Sequence, residues 1–515
     1  MPKVLLAANA EHGQANVFLA TGHTLQALDA TVDVHFASFA PISQAVSAAS
    51  QYSAQCSQGA RPWTFHELDG LCLFDRVLKE LQANGLGDAL TKPLSFFQII
   101  STLKTSPHFL MPWNGPEWIR IYKSFIRVVE QIKPDVIVVD ALFSPAVSAC
   151  HHLKLKYILL SPNTIKEFAG RFQPRLAAIW KYPITGSAHP FPLPKRKVPV
   201  NIFFVFLQVW FVMTNRHIRT VTAHVKRELG ADVITFVSIA SKPPAGKKIL
   251  VGNRPEIDFP LVVPPHLTTC GPIIRPAAPV SEVDPELDAW LKRGPTIFVN
   301  LGTLKQMDEG EALEIGQTLQ HILRLADAWT EKRRNGEDRA DIAGVPGELQ
   351  VIWKLKKRED LNYETGPGSR LYEGLKQWIE TDRVRILNWI KPEPSAVLRT
   401  GTIVVSVNHG GANSYNDAVT AGIPQVLLPC WLDCYDFGSR VEYLGIGYWA
   451  NKKSKPRCSA KELQPCLEDV VFGDKGEQMR KRARELAAIC AERPGATVAA
   501  SAILEEVEGR EKEVK

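Results

Sequence analysis

The sequence predicts an α/β architecture of two doubly wound sheets that face each other across a cleft. Short β-branched runs alternate with longer stretches of helical period, the pattern of parallel strands joined by crossover helices. Those runs are mostly apolar rather than alternating, as strands covered on both faces are. With 515 residues the chain exceeds one core, and about 150 residues per domain gives two or three domains.

In chain order, the run at 3–8 opens the first sheet directly after Met1-Pro2. No charged lead, apolar stretch and cleavage site occur in sequence there, so the N-terminus reads as unprocessed and cytosolic. Runs at 136–139 and 157–160 continue the sheet. Between and after them stand Phe96-Phe97, Phe109, Trp113 and Trp118 and an apolar stretch at 202–213, which suit an apolar pocket or ordinary core. That stretch falls short of the ~20 residues needed to cross a bilayer. It reads as a helix walling a pocket; because Arg216, His217 and Arg219 follow it, an interfacial contact through 202–219 is the alternative.

Segments 189–199, with Lys195-Arg196-Lys197, and 331–341 read as surface loops, and prolines crowd 260–285. The expected division is therefore a first domain at 1–262, a linker at 263–290, a second domain at 291–485 and a C-terminal helix or tail at 486–515. Runs at 296–301, 349–355, 384–387, 402–407 and 425–428 supply the second sheet.

Composition excludes several classes. Hydrophobic residues at 45% and charged residues at 22% describe neither a disordered chain nor a membrane bundle. The net charge of +7 is modest, with basic residues scattered along the chain, so nucleic acid is not indicated. Nine cysteines without a CxxC pair give no disulfide framework and no zinc site.

The most informative segment is 402–447. A buried strand ends in a polar loop containing Gly410-Gly411, and Asn413-Ser414 open a helix. Free N–H groups and the positive end of the helix dipole meet there, which suits a phosphate. His409, Asn413 and Ser414 can donate to its oxygens, and Asp417, one turn into the helix, can accept from a vicinal diol.

This segment resembles the signature of the family 1 UDP-glycosyltransferases, of GT-B fold with two Rossmann-like domains, and is particularly similar to the fungal members. The resemblance rests on Trp389; on His409, Gly411, Asn413, Ser414 and Asp417; on Gly422-Ile423-Pro424; and on Pro429, Trp431 and Asp433. It implies that Trp389 stacks on uracil, Asp417 holds the ribose, and His409, Gly411, Asn413 and Ser414 hold the diphosphate. Asp433 would take sugar hydroxyls, and Gly302-Thr303 would form a second phosphate loop. Three positions depart from the pattern: Cys434 replaces the Gln that helps select glucose, Ala412 a second Trp, and Lys391-Pro392 a Pro-Gln. The first leaves the sugar open.

Transfer with inversion needs a base for the acceptor hydroxyl, and a His held by a carboxylate serves. In the family that His lies in a G-H-x-x-P turn after the first strand. Strict alignment puts Gln14 there, and His12, just before Gly13, is the candidate base, with His23 a weaker substitute. Asp140, just past a buried strand, matches the family's Asp.

The expected function is therefore an inverting, metal-independent transferase that moves a hexose, glucose first, from a UDP-sugar to a small lipophilic acceptor. No cofactor is expected, and no DxD motif is present. The alternatives are a non-catalytic nucleotide-binding relative, suggested by Gln14, and a nucleotide-sugar epimerase.

Overall fold

The computed structural model describes residues 1–83, 92–335, 342–358 and 363–514. The first sheet comprises β1 (Lys3–Ala7), β2 (Asp33–Ser38), β3 (Thr64–Glu67), β4 (Val136–Asp140), β5 (Tyr157–Ser161), β6 (Ile249–Val251) and β7 (Leu267–Thr269), in the order β3-β2-β1-β4-β5-β6-β7. The second comprises β8 (Thr296–Asn300), β9 (Gln350–Lys354), β10 (Val384–Leu387), β11 (Ile403–Asn408), β12 (Gln425–Leu427) and β13 (Gly447–Trp449), in the order β10-β9-β8-β11-β12-β13. Every pairing is parallel. Strand order reverses between β1 and β4 in one sheet and between β8 and β11 in the other, the crevices where open α/β sheets bind ligands.

All eight expected runs are strands, and the central ones are buried along their length. Burial on both faces is why they read as mostly apolar runs. Among the described residues the chain also forms β2 and β3 at one edge and the three-residue β6, β7 and β13. β3 is largely solvent-facing, and three residues are too few to show a period.

Two segments differ from the expected division. The Pro-rich stretch contains β7, which pairs with β6 and so belongs to the first sheet. Its prolines flank the strand rather than interrupt it. The C-terminal segment is a helix, Gly495–Val514, that returns to the first domain: Ala499, Ala500, Ile503 and Val507 enter the same core as the helix His12–Leu28. Of the expected loop at 331–341, residues 331–334 end the helix Glu309–Arg334, while 336–341 lie outside the described residues.

The reading of 202–213 as a pocket wall is overturned. The helix Val198–Thr214 buries only Asn201 and Phe204, and Phe203, Phe206, Val209, Trp210 and Met213 face solvent. Trp113 and Trp118 are fully buried core, and neither they nor Phe96, Phe97 and Phe109 line the cleft.

A buried ionic joint ties the domains. Arg440 donates from Nε to Asp258 at 2.6 Å and from Nη2 to the Thr164 hydroxyl at 2.7 Å, both ion-pair partners being wholly inaccessible. Close by, Lys166 pairs with Asp436. The Tyr415 hydroxyl adds a bond to the Ile257 carbonyl at 2.8 Å. Such a pair is costly to break, because either partner alone is an uncompensated buried charge.

Candidate active site

The cleft between the carboxyl ends of the two sheets encloses about 330 Å³ and is lined by both domains. Of the expected site residues it gathers His12, Gly302, Thr303, Trp389, His409, Gly411, Asn413, Ser414, Asp417, Asp433 and Cys434. Asp140 is not among its lining.

Its floor is built by two matching turns. Asn300 and Asn408 end the adjacent strands β8 and β11 and are register partners. Each turns its side-chain carbonyl back to accept a backbone N–H two residues on, Asn300 from Gly302 at 3.1 Å and Asn408 from Gly410 at 2.9 Å. Asn favours this local bond, which shapes a tight loop. Both residues are buried, and the Asn-x-Gly spacing is the signal that would have found them.

The His409 ring fills the space between the two loops. A Cβ on Gly302 would lie 2.6 Å from His409 Cε1, and one on Gly411 would lie 2.5 Å from Nε2, so neither position has room for a side chain. Gly302 also adopts φ +84°, where side chains are strained. Burial, reinforced by the Lys354 ammonium, lowers the His409 pKa to about 4, which keeps the imidazole neutral near pH 7. Its Nδ1 is buried without a partner, free to meet a ligand.

Lys354 is a cleft residue that the sequence reading missed. It ends β9, is buried, and sets its ammonium 4.6 Å from the Trp389 ring centre. Burial and then Lys356 hold its pKa below the usual lysine range. Trp389 is 64% exposed, so an apolar ring face stands open in the cleft. A lysine at the carboxyl end of a predicted parallel strand was the available signal.

Three acidic or thiol side chains complete the donor half. Burial, helped by Glu393 and opposed by Arg399, raises the Asp417 carboxyl to about 7. Burial and then the Glu167 carboxylate across the cleft raise Asp433 to about 6. Asp433 precedes the helix Cys434–Tyr443 but makes no side-chain cap bond to it, so its carboxylate is not spent on the helix. Leu432, just before it, has φ +29°, a strained value for a branched residue. Cys434 is buried, and burial holds its thiol protonated.

The acceptor half departs from the expected pair. The Asp140 carboxylate is buried and accepts from the Asn9 side chain at 3.0 Å, the Asn9 N–H at 3.4 Å and the Leu142 N–H at 2.9 Å. His12 is not among its partners. The reason is local: His12, the first residue of the helix His12–Leu28, is exposed at the cleft. The His12 carbonyl accepts from Asn413 Nδ2 at 3.1 Å, which ties the first turn of one domain to the phosphate-type turn of the other. Gln14 also lines the cleft, with its Oε1 buried and unpartnered. His23 is stacked on Tyr52 and stands outside the cleft lining.

Among the described residues no group of three or more His, Cys, Asp and Glu side chains is placed to hold a metal ion. No family model matches the chain. A glycosyltransferase of Sordaria araneosa, sdnJ, is 29% identical over 487 residues, 92% of this chain and 88% of that protein. A UDP-glycosyltransferase of Talaromyces amestolkiae is 24% identical over 50% of this chain and 44% of its own length. Among solved structures, a Polygonum tinctorium UDP-glucosyltransferase that glucosylates indoxyl superposes with a TM-score of 0.61 at 14% identity, over 98% of each chain. Fold, cleft motif and relatives agree: the chain has the GT-B architecture, and the curated proteins it resembles are glycosyltransferases and UDP-glycosyltransferases.

Proposed function

We propose that the enzyme transfers a hexose, glucose in the first instance, from a UDP-sugar to a hydroxyl of a small lipophilic acceptor, with inversion. The observation that carries this reading is that the open Trp389 face, Asp417, the His409 cradle and Asp433 line one cleft. In that order they suit uracil, ribose, diphosphate and sugar. Trp389 offers a stacking face and Asp417 an acceptor for the ribose hydroxyls. The helix Ala412–Ala421 points its N-terminus at the position of the phosphates.

In the transfer the acceptor oxygen bonds to the anomeric carbon as the bond from that carbon to the diphosphate breaks, and the acceptor proton passes to His12. Gln14 cannot take a proton at neutral pH, but its free Oε1 can orient the hydroxyl. Charge developing on UDP meets His409, the helix terminus and Lys354, so no metal is needed for the departure. Nine free thiols accord with a reducing, cytoplasmic setting.

The test is mass spectrometry of products after incubation with UDP-glucose, UDP-galactose or UDP-glucuronate and a panel of lipophilic alcohols and phenols. A hexosylated product that disappears in His12→Ala supports the reading. UDP binding without product or sugar release for any donor overturns it in favour of a silent nucleotide binder.

A further inference from the structure

We propose that the helix Val198–Thr214, together with the neighbouring helix Phe96–Leu110, docks flat on an anionic lipid surface. The first has two apolar sides. One packs inward through Phe204, whose ring centre lies 5.3 Å from that of Phe96. The other carries Phe206 (61% exposed), Trp210 (63%) and Met213 (67%), which recur every three or four residues and so form one stripe. Phe97, 79% exposed on the second helix, has its ring centre 5.6 Å from that of Phe96, whose ring stacks on Phe203 of the first at 6.0 Å. Contiguous apolar surface of this kind marks an interaction site rather than ordinary surface.

Charge identifies the partner. Segments 92–116 and 191–227 hold nine of the chain's 61 Lys and Arg and none of its 54 Asp and Glu, so they account for more than the whole net charge of +7. Two of the nine, Lys226 and Arg227, pair with Asp232 and Glu228. Lys195, Arg196 and Lys197 stand exposed at the N-terminal end of the stripe, where the helix dipole disfavours cations and the first helical turn holds no acidic residue to offset them. Their placement is poor for a helix in water and good against lipid phosphates. Arg216 and Arg219 stand exposed at the other end, beyond the break at Asn215. Cations at both ends and apolar residues between place the axis in the plane of a membrane surface, and a tryptophan within the stripe suits the headgroup boundary.

The second helix meets the sugar-side loop by its inner face: a Cβ on Gly186 would lie 3.6 Å from the buried Thr102 and 3.5 Å from Leu432. The docking stands apart from the transferase reading.

The test is co-sedimentation of the full chain with vesicles of phosphatidylcholine alone or with about a third phosphatidylserine, alongside light scattering without lipid. The expected result is binding at least about tenfold tighter to anionic vesicles, weakened by salt and lost in Phe206→Ser/Trp210→Ser, with melting temperature and UDP binding unchanged. Equal sedimentation of wild type and variant, or none, overturns the proposal. A dimer that the variant abolishes, without vesicle binding, also overturns it by assigning the stripe to a second copy. Vesicle binding without transfer to a vesicle-borne or a soluble acceptor leaves the docking standing and removes the transferase reading alone.

Discussion

Asn9 and Asp140 form a buried pair in which the Asn9 amide donates to Asp140 Oδ2 at 3.0 Å. The bond joins the end of β4 to the turn after β1, and that turn carries His12 and Gln14 into the cleft. Asp140 thus acts on the turn through Asn9. Asn9→Ala and Asp140→Asn are each expected to slow transfer by about 10- to 100-fold, the scale of a small misplacement of a reacting group. The double variant should be no slower than the worse single one, and UDP-glucose affinity should stay within about twofold. Rate losses that multiply would show that the two side chains act separately.

Gly411→Ala tests the His409 cradle without straining the chain, since Gly411 has φ −71° and ψ 149°, open to alanine. Its Cβ would displace the ring. UDP affinity by calorimetry should fall about 10- to 100-fold, an estimate of the loss of a buried charge-assisted bond. Once His409→Ala has removed the ring, adding Gly411→Ala should change little.

Trp389 contributes little to the fold and much to the proposed nucleotide grip. Trp389→Ala should weaken UDP binding by about 1–3 kcal/mol, the range for base stacking on an aromatic ring. Because the ring is mostly exposed, thermal melting should not change.

Donor binding should depend on pH through Asp417. Its carboxyl is raised to about 7, and the ribose hydroxyls require the ionised form. Binding therefore expels a proton, so affinity rises with pH up to about 7 and levels off above it, by at most about tenfold per pH unit. UDP-glucose is the ligand to use, since its diphosphate does not titrate in this range. In Asp417→Asn the slope should flatten; a slope that survives would place the titrating group elsewhere, Asp433 being the next candidate at about 6.

Transfer should persist in excess EDTA, because Lys354 and the helix terminus supply the positive field and neutral His409 a hydrogen bond. Lys354→Met should cut kcat/KM by about tenfold or more, and added magnesium should not restore it.

The central strands were legible because burial on both faces leaves a signature in the residues themselves, and the donor turn was legible because its glycines and polar residues are close in sequence. What escaped depends on contacts between distant segments. Lys354 is one lysine in a basic run until β9 sets it over Trp389, 35 positions later in the chain. The His12–Asp140 pair was drawn from motif order, and the structure gives Asp140 to Asn9 instead, because the carboxylate faces the turn before the helix while His12 stands exposed at the cleft. The apolar helix misled because hydropathy reports what a side chain prefers, not whether anything covers it.

The return of the helix Gly495–Val514 to the first domain has a consequence for how the chain matures. The face of the helix His12–Leu28 that receives Ala499, Ala500, Ile503 and Val507 stays uncovered until that helix has left the ribosome. The first domain is thus closed only after the second has been made, and removing the helix Gly495–Val514 would damage the half of the fold distant from it in sequence. Fragments cut between the domains would inherit a sticky flank and precipitate.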